Sequence, residues 1–439
     1  MSKLHTIKTK YKKLKKYYDS VLNSDDTFRN SNDECTPMDC VEEMVNKLDA
    51  YIDWSNPKLK ILDPCVGNGN FMIYIYQKLI KYHNTAHILN KMLYFIDINE
   101  DRIDNIKHIF HSKNVTKRHI YNYNFLEVDF MIKFDLIVAN PPYALITNTK
   151  RASKNHNLIK LFLEKSLDIL KPNGLLMYIT PDNWMSLADR NTLITRITSL
   201  ELLYLNIHTA KKYFKKIGSS FTWYIIRNTQ FNDNSPKVQV DGLWLHNEYT
   251  SHIQQETRNY IPLFYTKTIN NILKKTIDLF NEKFKIQTSS FLHKYTKRHL
   301  ISTEKDENHK YKLIHTPTQI VYSSKPHKFQ QGYKVFISTT TNYQVFVDKC
   351  GMTQSIAFIM CDSKKEAKLY KKILEHPLYI FLNNICRYGN FNNIRILQKF
   401  PIPPNLDYDL IWNDFNITKK EQKYIITRQS TKTKLEIDF

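Results

Sequence analysis

Apolar residues in this chain gather in short runs, separated by stretches at helical spacing. Residues 60–63, 93–98, 136–139, 175–180, 202–207 and 221–226 are such runs, and a further one ends near Asn124 and Phe125. Their length and the turn residues that bound them predict buried strands. Between them Val41, Met44, Val45 and Leu48 recur on one helical face, as do Ile73, Tyr76, Leu79 and Ile80, then Ile103, Ile106 and Ile109. Residues 158–170 form a fourth amphipathic helix, stopped by Pro172-Asn173-Gly174. Thr36 stands at the N-cap position of the first helix, with Pro37 just inside it. Strands alternating with helices over roughly the first 230 residues predict a parallel sheet covered on both faces.

The pattern changes at 228–237, a polar stretch of Asn, Asp, Ser and Pro that reads as a linker. Beyond it the chain is basic, aromatic and irregular, with short β-like runs at 320–323, 334–339 and 343–347. His315, Lys325, His327, Lys328, Arg387 and Arg395 lie among its turns. The expected organisation is a basic helical segment over 1–34, an α/β domain over 35–230 and a smaller, irregular α+β domain over 237–439. Lys10, Lys12, Lys13, Lys15 and Lys16 predict a solvated face on the first segment. Residues 144–157 are polar and basic and have nothing to pack, which predicts a mobile loop. A second basic group, Lys211, Lys212, Lys215 and Lys216, joins two strands.

Charge narrows the class of partner. The chain has 64 Lys and Arg against 42 Asp and Glu, a formal net charge of +22. Such an excess points to a polyanion, nucleic acid before membrane. A composition rich in Lys, Asn, Ile and Tyr, as an AT-rich genome encodes, also contributes. No apolar run reaches the length of a membrane span, and residues 1–16 are too basic for a signal peptide. Cys35, Cys40, Cys65, Cys350, Cys361 and Cys386 show neither a Cys-x-x-Cys pair nor matching histidines. They read as reduced thiols of an intracellular, cytoplasmic protein, with no metal site.

The run 136–139 leads into Asn140-Pro141-Pro142-Tyr143, which cannot continue a strand. The strand therefore ends in a rigid loop with one amide, one carbonyl without a following N–H, and one aromatic ring. In open α/β sheets that edge binds ligands. An exocyclic nucleobase amine is a poor nucleophile, because its lone pair is delocalised into the ring. The Asn140 amide oxygen and the Pro141 carbonyl could each accept one of its N–H groups, favouring a tetrahedral nitrogen. Tyr143 could stack on a base taken out of the duplex. An ordinary Asn-Pro-Pro turn is the bland alternative. The flanking sequence argues against it. The strand at 60–63 ends in Asp63 and runs into Pro64-Cys65-Val66-Gly67-Asn68-Gly69-Asn70-Phe71 before a helix. Strand, glycine turn and helix open a nucleotide-binding α/β domain, although a third glycine is missing. Gly67 and Gly69 let a backbone approach a ligand. Asp63 suits an ammonium group, and Asp97, near the end of the next strand, suits two ribose hydroxyls.

These motifs resemble the amino-methylating DNA methyltransferases of the gamma arrangement, in which a cofactor motif precedes the Asn-Pro-Pro-Tyr motif and a target-recognition domain follows. Thr36-Pro37 is similar to the family's upstream cofactor motif, and residues 63–71 to its Asp-Pro-x-x-Gly-x-Gly-x-Phe loop. Residues 140–143 match its catalytic tetrad, with Asn pointing to adenine more often than cytosine. The likeness continues through 158–170 and 174–181, then diffusely through 334–337, 389–391 and 400–403. It implies a Rossmann-like methyltransferase core followed by a target-recognition domain. The implied cofactor is S-adenosylmethionine, held by Thr36, Asp63, Pro64, Gly67, Gly69, Phe71, Asp97 and Asn124, where the family commonly has Asp at the last position. The implied catalytic residues are Asn140, Pro141, Pro142 and Tyr143. Tyr143 stacks on the base, with Phe221, Trp223 or Tyr224 as a second aromatic.

The function implied is transfer of a methyl group to N6 of a flipped adenine in double-stranded DNA, by a chain acting as a monomer. A cognate restriction endonuclease would be a separate protein. The same core also serves RNA adenine, cytosine N4 or protein glutamine. The long basic C-terminal half argues against a protein substrate. Cys65 lies in the cofactor loop, which argues against a cytosine-C5 nucleophile.

Overall fold

Nine strands pair into one sheet: β1 (Ile61–Asp63), β2 (Leu93–Asp97), β3 (His119–Asn122), β4 (Phe134–Ala139), β5 (Leu170–Pro181), β6 (Leu200–Ile207), β7 (Phe221–Gln230), β8 (Val238–Trp244) and β9 (Asn247–Ile253). The computed structural model describes residues 6–23, 35–112, 115, 119–143, 157–188, 192–214, 220–244, 247–256, 258–340, 342–388 and 391–430. The strand order is β3-β2-β1-β4-β5-β7-β6-β8-β9. Pairing is parallel from β3 through β5 and between β6 and β8. β7 and β9 run antiparallel to their neighbours. β1, β2 and β6 are buried at every position, as strands covered on both faces of a sheet must be.

The chain leaves β1 for β2 and β3 on one side, then crosses back to place β4 on the other. That reversal opens a crevice at the carboxyl ends of β1 and β4, where α/β sheets take ligands. The helix Asn70–Leu79 follows β1, Glu100–Ile109 follows β2, and Asn157–Ile169 precedes β5. Each buries an apolar stripe, for example Ile103, Ile106 and Ile109.

Several expectations change. The first long helix spans Met38–Lys47 with Pro37 at its N-cap and no side chain capping it, so Thr36 does not cap it and Pro37 lies outside it. The 158–170 helix ends at Ile169, and β5 begins at Leu170 rather than after Gly174. Residues 228–237 are not a linker. β7 runs to Gln230, Ser235 Oγ donates to Glu201 at 2.9 Å, and β8 then joins the same sheet beside β6. Polar turn residues satisfy a tight return as readily as a linker. The described residues instead divide into two units at 182/183, 191/192 and 257/258. The N-terminal segment is no separate body either: Ile7, Leu14, Tyr18 and Leu22 are buried in the core of the first unit. Of the loop expected at 144–157, residues 144–156 lie outside the described residues, as do Lys215, Lys216, Gly389 and Asn390, and Asn157 already begins a helix.

The second unit has two four-stranded sheets. One orders β10 (Gln287–Thr288), β17 (Ile356–Cys361), β14 (Tyr333–Ser338) and β15 (Val345–Asp348). The other orders β11 (Ile301–Ser302), β13 (Gln319–Ser323), β12 (Tyr311–Thr316) and β16 (Gly351–Met352). Three longer helices accompany them, Lys364–Leu374, Pro377–Ile385 and Lys419–Ser430. Among the described residues, no helix is long and apolar enough to cross a membrane.

Candidate active site

The site is built on the carboxyl ends of β1, β2 and β4. Asp63 closes β1 and is buried. Burial holds its carboxyl well above the usual carboxylate range, against the pull of the Cys65 N–H that donates to it at 3.2 Å, and the neighbouring Asp97 pushes the same way as burial. Asp97 closes β2, and both of its oxygens accept backbone N–H groups, from Gly67 at 2.7 Å and Asn99 at 2.9 Å. The Val66 N–H donates to the Ile96 carbonyl at 2.8 Å. The glycine turn is thus bolted to the neighbouring strand, with Asp97 supplying one bolt.

The two glycines differ. Gly67 has φ +54° and nothing within 4 Å of where a Cβ would stand, so it faces open space. Gly69 has φ +86°, and a Cβ there would lie 2.5 Å from Ile106 Cδ1. At Gly69 a glycine is therefore required by the left-handed backbone and by the close packing of the turn on the helix Glu100–Ile109. Pro64 and Phe71 are also buried, Phe71 in the core. From the other side, the buried Tyr18 hydroxyl donates to the Asn68 carbonyl at 2.9 Å, and Asn68 Nδ2 donates to the Leu22 carbonyl at 2.8 Å.

Asn140 follows β4 directly. Its Nδ2 donates to Thr36 Oγ1 at 3.1 Å, and its Oδ1 accepts from the Tyr143 hydroxyl at 2.5 Å. The Cys65 thiol lies 3.5 Å from its backbone carbonyl, which brings the β1 turn against the β4 loop. Thr36 is itself buried, and its carbonyl accepts from Asn70 Nδ2 at 2.8 Å. The structure thus brings Thr36, Asp63, Gly67, Asp97, Asn140 and Tyr143 to one edge.

Other expected residues stand differently. Asn124 caps its own short turn, accepting from the Leu126 N–H at 3.2 Å and donating to Glu127 at 2.6 Å. Trp223 and Tyr224 are fully buried. Trp223 packs on Tyr204 with ring centroids 4.3 Å apart, and Tyr224 lies 6.5 Å from Tyr178. Their strand is central, so both of its faces are core, and neither ring has a face to offer a base. Phe221 begins that strand, 6.1 Å from Tyr143, and stacks on Phe214 at 4.4 Å. It backs Tyr143 and is itself buried.

Residues that sequence reasoning missed also sit here. Ile98 is 72% exposed and Tyr123 59%, both just past the ends of their strands, and the Tyr123 N–H donates to the Asp97 carbonyl at 3.1 Å. An apolar side chain directly after an acidic strand end was the available signal. Further along the edge, burial pushes the Asp182 carboxyl up to about 7 and holds His208 down to about 4. They stand 3.8 Å apart, and both are uncharged between about pH 4 and about pH 7. The edge as a whole offers a buried acid for a cation, an acceptor pair for a diol, an exposed apolar surface and an open backbone cradle. Those groups fit the ends of S-adenosylmethionine. The adjoining amide and aromatic ring fit a planar amine.

Residues 70–214 match the family model of the Eco57I restriction-modification methylase, a span that includes Asn140 but begins just after the glycine turn. Three solved structures have a similar fold. They are DrdV in complex with DNA (TM-score 0.57, 10% identity, covering 96% of this chain and 60% of that one), the Type ISP restriction-modification enzyme LlaGI, as a nuclease-deletion mutant with a DNA substrate mimic (0.54, 11%, 96% and 48%), and the Type IIL restriction-modification enzyme MmeI with DNA (0.53, 9%, 88% and 66%). This chain spans from about half to two thirds of the length of those proteins.

Proposed function

We propose that this chain is an S-adenosylmethionine-dependent DNA methyltransferase acting on N6 of an adenine flipped out of double-stranded DNA. The observation that carries this reading is the placement of the Asn140 amide at the end of β4, across the switch point from the buried Asp63 at the end of β1. The match of residues 70–214 to a restriction-modification methylase family supports it.

In this reading Asp63 receives the cofactor's ammonium group, and Gly67 lets the backbone come close. Asp97 takes the ribose hydroxyls, Ile98 covers the adenine ring and Asn124 meets its amine. Bound there, the cofactor supplies an electrophilic sulfonium methyl. Tyr143 stacks on the target base. Asn140 Oδ1 and the Pro141 carbonyl accept the two N–H groups of its amine, which frees the nitrogen lone pair for in-line attack. The protein contributes positioning and hydrogen bonds, needing no covalent intermediate.

The second unit is assigned target recognition. Residues 283–303 carry Lys283, Lys285, Lys294, Lys297 and Arg298 without one acidic residue, and 308–347 carry five lysines without one. Arg298, Lys325 and Lys328 are exposed, and so is Tyr295. Cations beside exposed aromatics suit phosphates and base edges. DrdV and MmeI were solved with DNA, which supports a duplex as the partner here too.

The test is methyl transfer from labelled cofactor to separate pools of unmethylated duplex DNA, RNA and protein, with the modified nucleoside identified. N6-methyladenine in duplex DNA is the expected product. Label found only as N4-methylcytosine, or only in RNA or protein, overturns the assignment.

A further inference from the structure

Thr36 stands in the motif whose resemblance assigns it to the cofactor, yet its hydroxyl contacts the other half of the site. Asn140 Nδ2 donates to Thr36 Oγ1 at 3.1 Å, across 104 residues of sequence, and Thr36 is only 4% exposed. We infer that Thr36 is a positioning residue for the catalytic amide: it holds the Asn140 nitrogen so that the carbonyl oxygen faces the target amine. This rests on the function proposed above.

The orientation of that amide is not a detail. Oδ1 accepts an N–H from the target, whereas Nδ2 in the same place sets donor against donor. Rotation by 180° about the last side-chain bond exchanges the two, and the loop's prolines, which fix only the backbone, do nothing to prevent it. The neighbours on either side of the amide must decide. Both are hydroxyls, able in principle to donate or accept, but of unequal character. The Tyr143 phenol is the stronger acid and the poorer acceptor, because its oxygen shares density with the ring. It therefore belongs against the amide oxygen, where the structure has it. The aliphatic hydroxyl of Thr36 is the better acceptor, and it belongs against the amide nitrogen.

Thr36 is well anchored for this task. Its own carbonyl accepts from Asn70 Nδ2 at 2.8 Å, at the start of the helix that follows the glycine turn. Pro37 and the helix Met38–Lys47 fix the backbone on its other side. The hydroxyl therefore sits on a support that does not depend on the β4 loop it orients.

The experiment compares Thr36→Val, which keeps the shape but removes the acceptor, with Thr36→Ser, which restores it. Unmethylated duplex DNA is the methyl acceptor, and S-adenosylhomocysteine is the calorimetric probe of the cofactor site. Thr36→Val is expected to lower kcat about tenfold while the S-adenosylhomocysteine Kd stays within about twofold of wild type, and Thr36→Ser to recover most of the rate. Independently of turnover, the side-chain NH2 of Asn140 is followed by NMR on asparagine-labelled protein and assigned by its loss in Asn140→Asp. One of its protons should exchange slowly with water in wild type and Thr36→Ser, and rapidly in Thr36→Val. An unchanged kcat in Thr36→Val overturns the inference, as does a loss that falls on S-adenosylhomocysteine affinity instead of kcat. So does exchange in wild type as fast as for an exposed asparagine. If wild type methylates none of the acceptors, the proposed function fails, and the exchange data still decide whether Thr36 holds the amide.

Discussion

The hydroxyl of Tyr143 donates to Oδ1 of Asn140 over 2.5 Å, so the residue assigned to stack on the base also holds the atom assigned to receive the base's amine. An amide oxygen has two lone pairs, and Tyr143 uses one of them. The ring and the hydroxyl of Tyr143 can therefore be separated. Tyr143→Phe keeps the ring and is expected to retain turnover within about tenfold, the scale of one net hydrogen bond. Tyr143→Ala loses the stacking surface, which for a base on an aromatic ring amounts to about 1–3 kcal/mol, and should fall further. Single-turnover methyl transfer measures both. Equal losses in the two variants would show that the hydroxyl, not the ring, is what matters.

Asn140→Ala is expected to lower turnover by about two orders of magnitude while leaving cofactor affinity nearly unchanged. In the proposed mechanism the amide acts on the target amine, so its loss removes stabilisation confined to the transition state, on the order of 3 kcal/mol. Calorimetry with S-adenosylhomocysteine beside the rate assay decides this. Matching losses in affinity and rate would place Asn140 at the cofactor instead.

Beyond the ribose contact proposed for it, Asp97 has a structural duty that the sequence did not reveal, because its carboxylate anchors the backbone at Gly67 and Asn99. Asp97→Ala should therefore weaken cofactor binding and also lower stability, by about 1 kcal/mol for two partly exposed N–H groups that lose their acceptor but can still reach water. Thermal unfolding and calorimetry on the same variant check the two effects. Weakened binding with an unchanged Tm would reduce Asp97 to a ligand alone.

What was legible in the chain was local. Four residues, Asn140 to Tyr143, announce the end of β4 because two prolines cannot stay in a strand, and Asp63 with Gly67 announces the end of β1. Contacts across the fold were not legible. Nothing near Thr36 points to an amide 104 positions away. Gly67 and Gly69 look alike until Ile106 is found behind one of them. Trp223 and Tyr224 read as base-stacking candidates because aromatics near a site invite it, but a central strand buries alternate residues on both faces. The stretch 228–237 has the composition of a linker and the hydrogen bonding of a turn. A fragment ending at Asn228 would cut β7 short and strip β8 and β9 from the sheet, so any division of the chain belongs near residue 257.

In the second unit, Lys328 is exposed, with its Nζ 4.8 Å from the Phe329 ring, next to the buried His327 that pairs with Ser289. As a phosphate contact it should affect all duplexes alike. Lys328→Ala is expected to weaken DNA binding uniformly and to reduce the slope of log K against log salt by about one unit. A titration over several salt concentrations with two unrelated duplexes measures both. An unchanged slope would make Lys328 a solvated charge.

Asp63 gives the cofactor site a proton signature. Burial, helped by the neighbouring Asp97, makes it keep its proton at a pH where an exposed aspartate has lost it. A ligand ammonium set against it favours the carboxylate and lowers that pKa. Binding of S-adenosylhomocysteine should then release a proton, at any pH above the bound-state pKa and below the free-state one. Calorimetry in buffers of different ionisation enthalpy reads the sign directly. The same shift acts on folding. Because the folded pKa lies above the unfolded value of about 3.9, the folded chain holds this proton longer as pH rises, and stability falls from there up to the raised value. Asp63→Asn should remove that decline, making stability flatter with pH, and at the same time abolish the proton release and weaken S-adenosylhomocysteine on the order of tenfold or more. Proton uptake on binding by the wild type, or release that survives Asp63→Asn, would mean that the ammonium is held somewhere else.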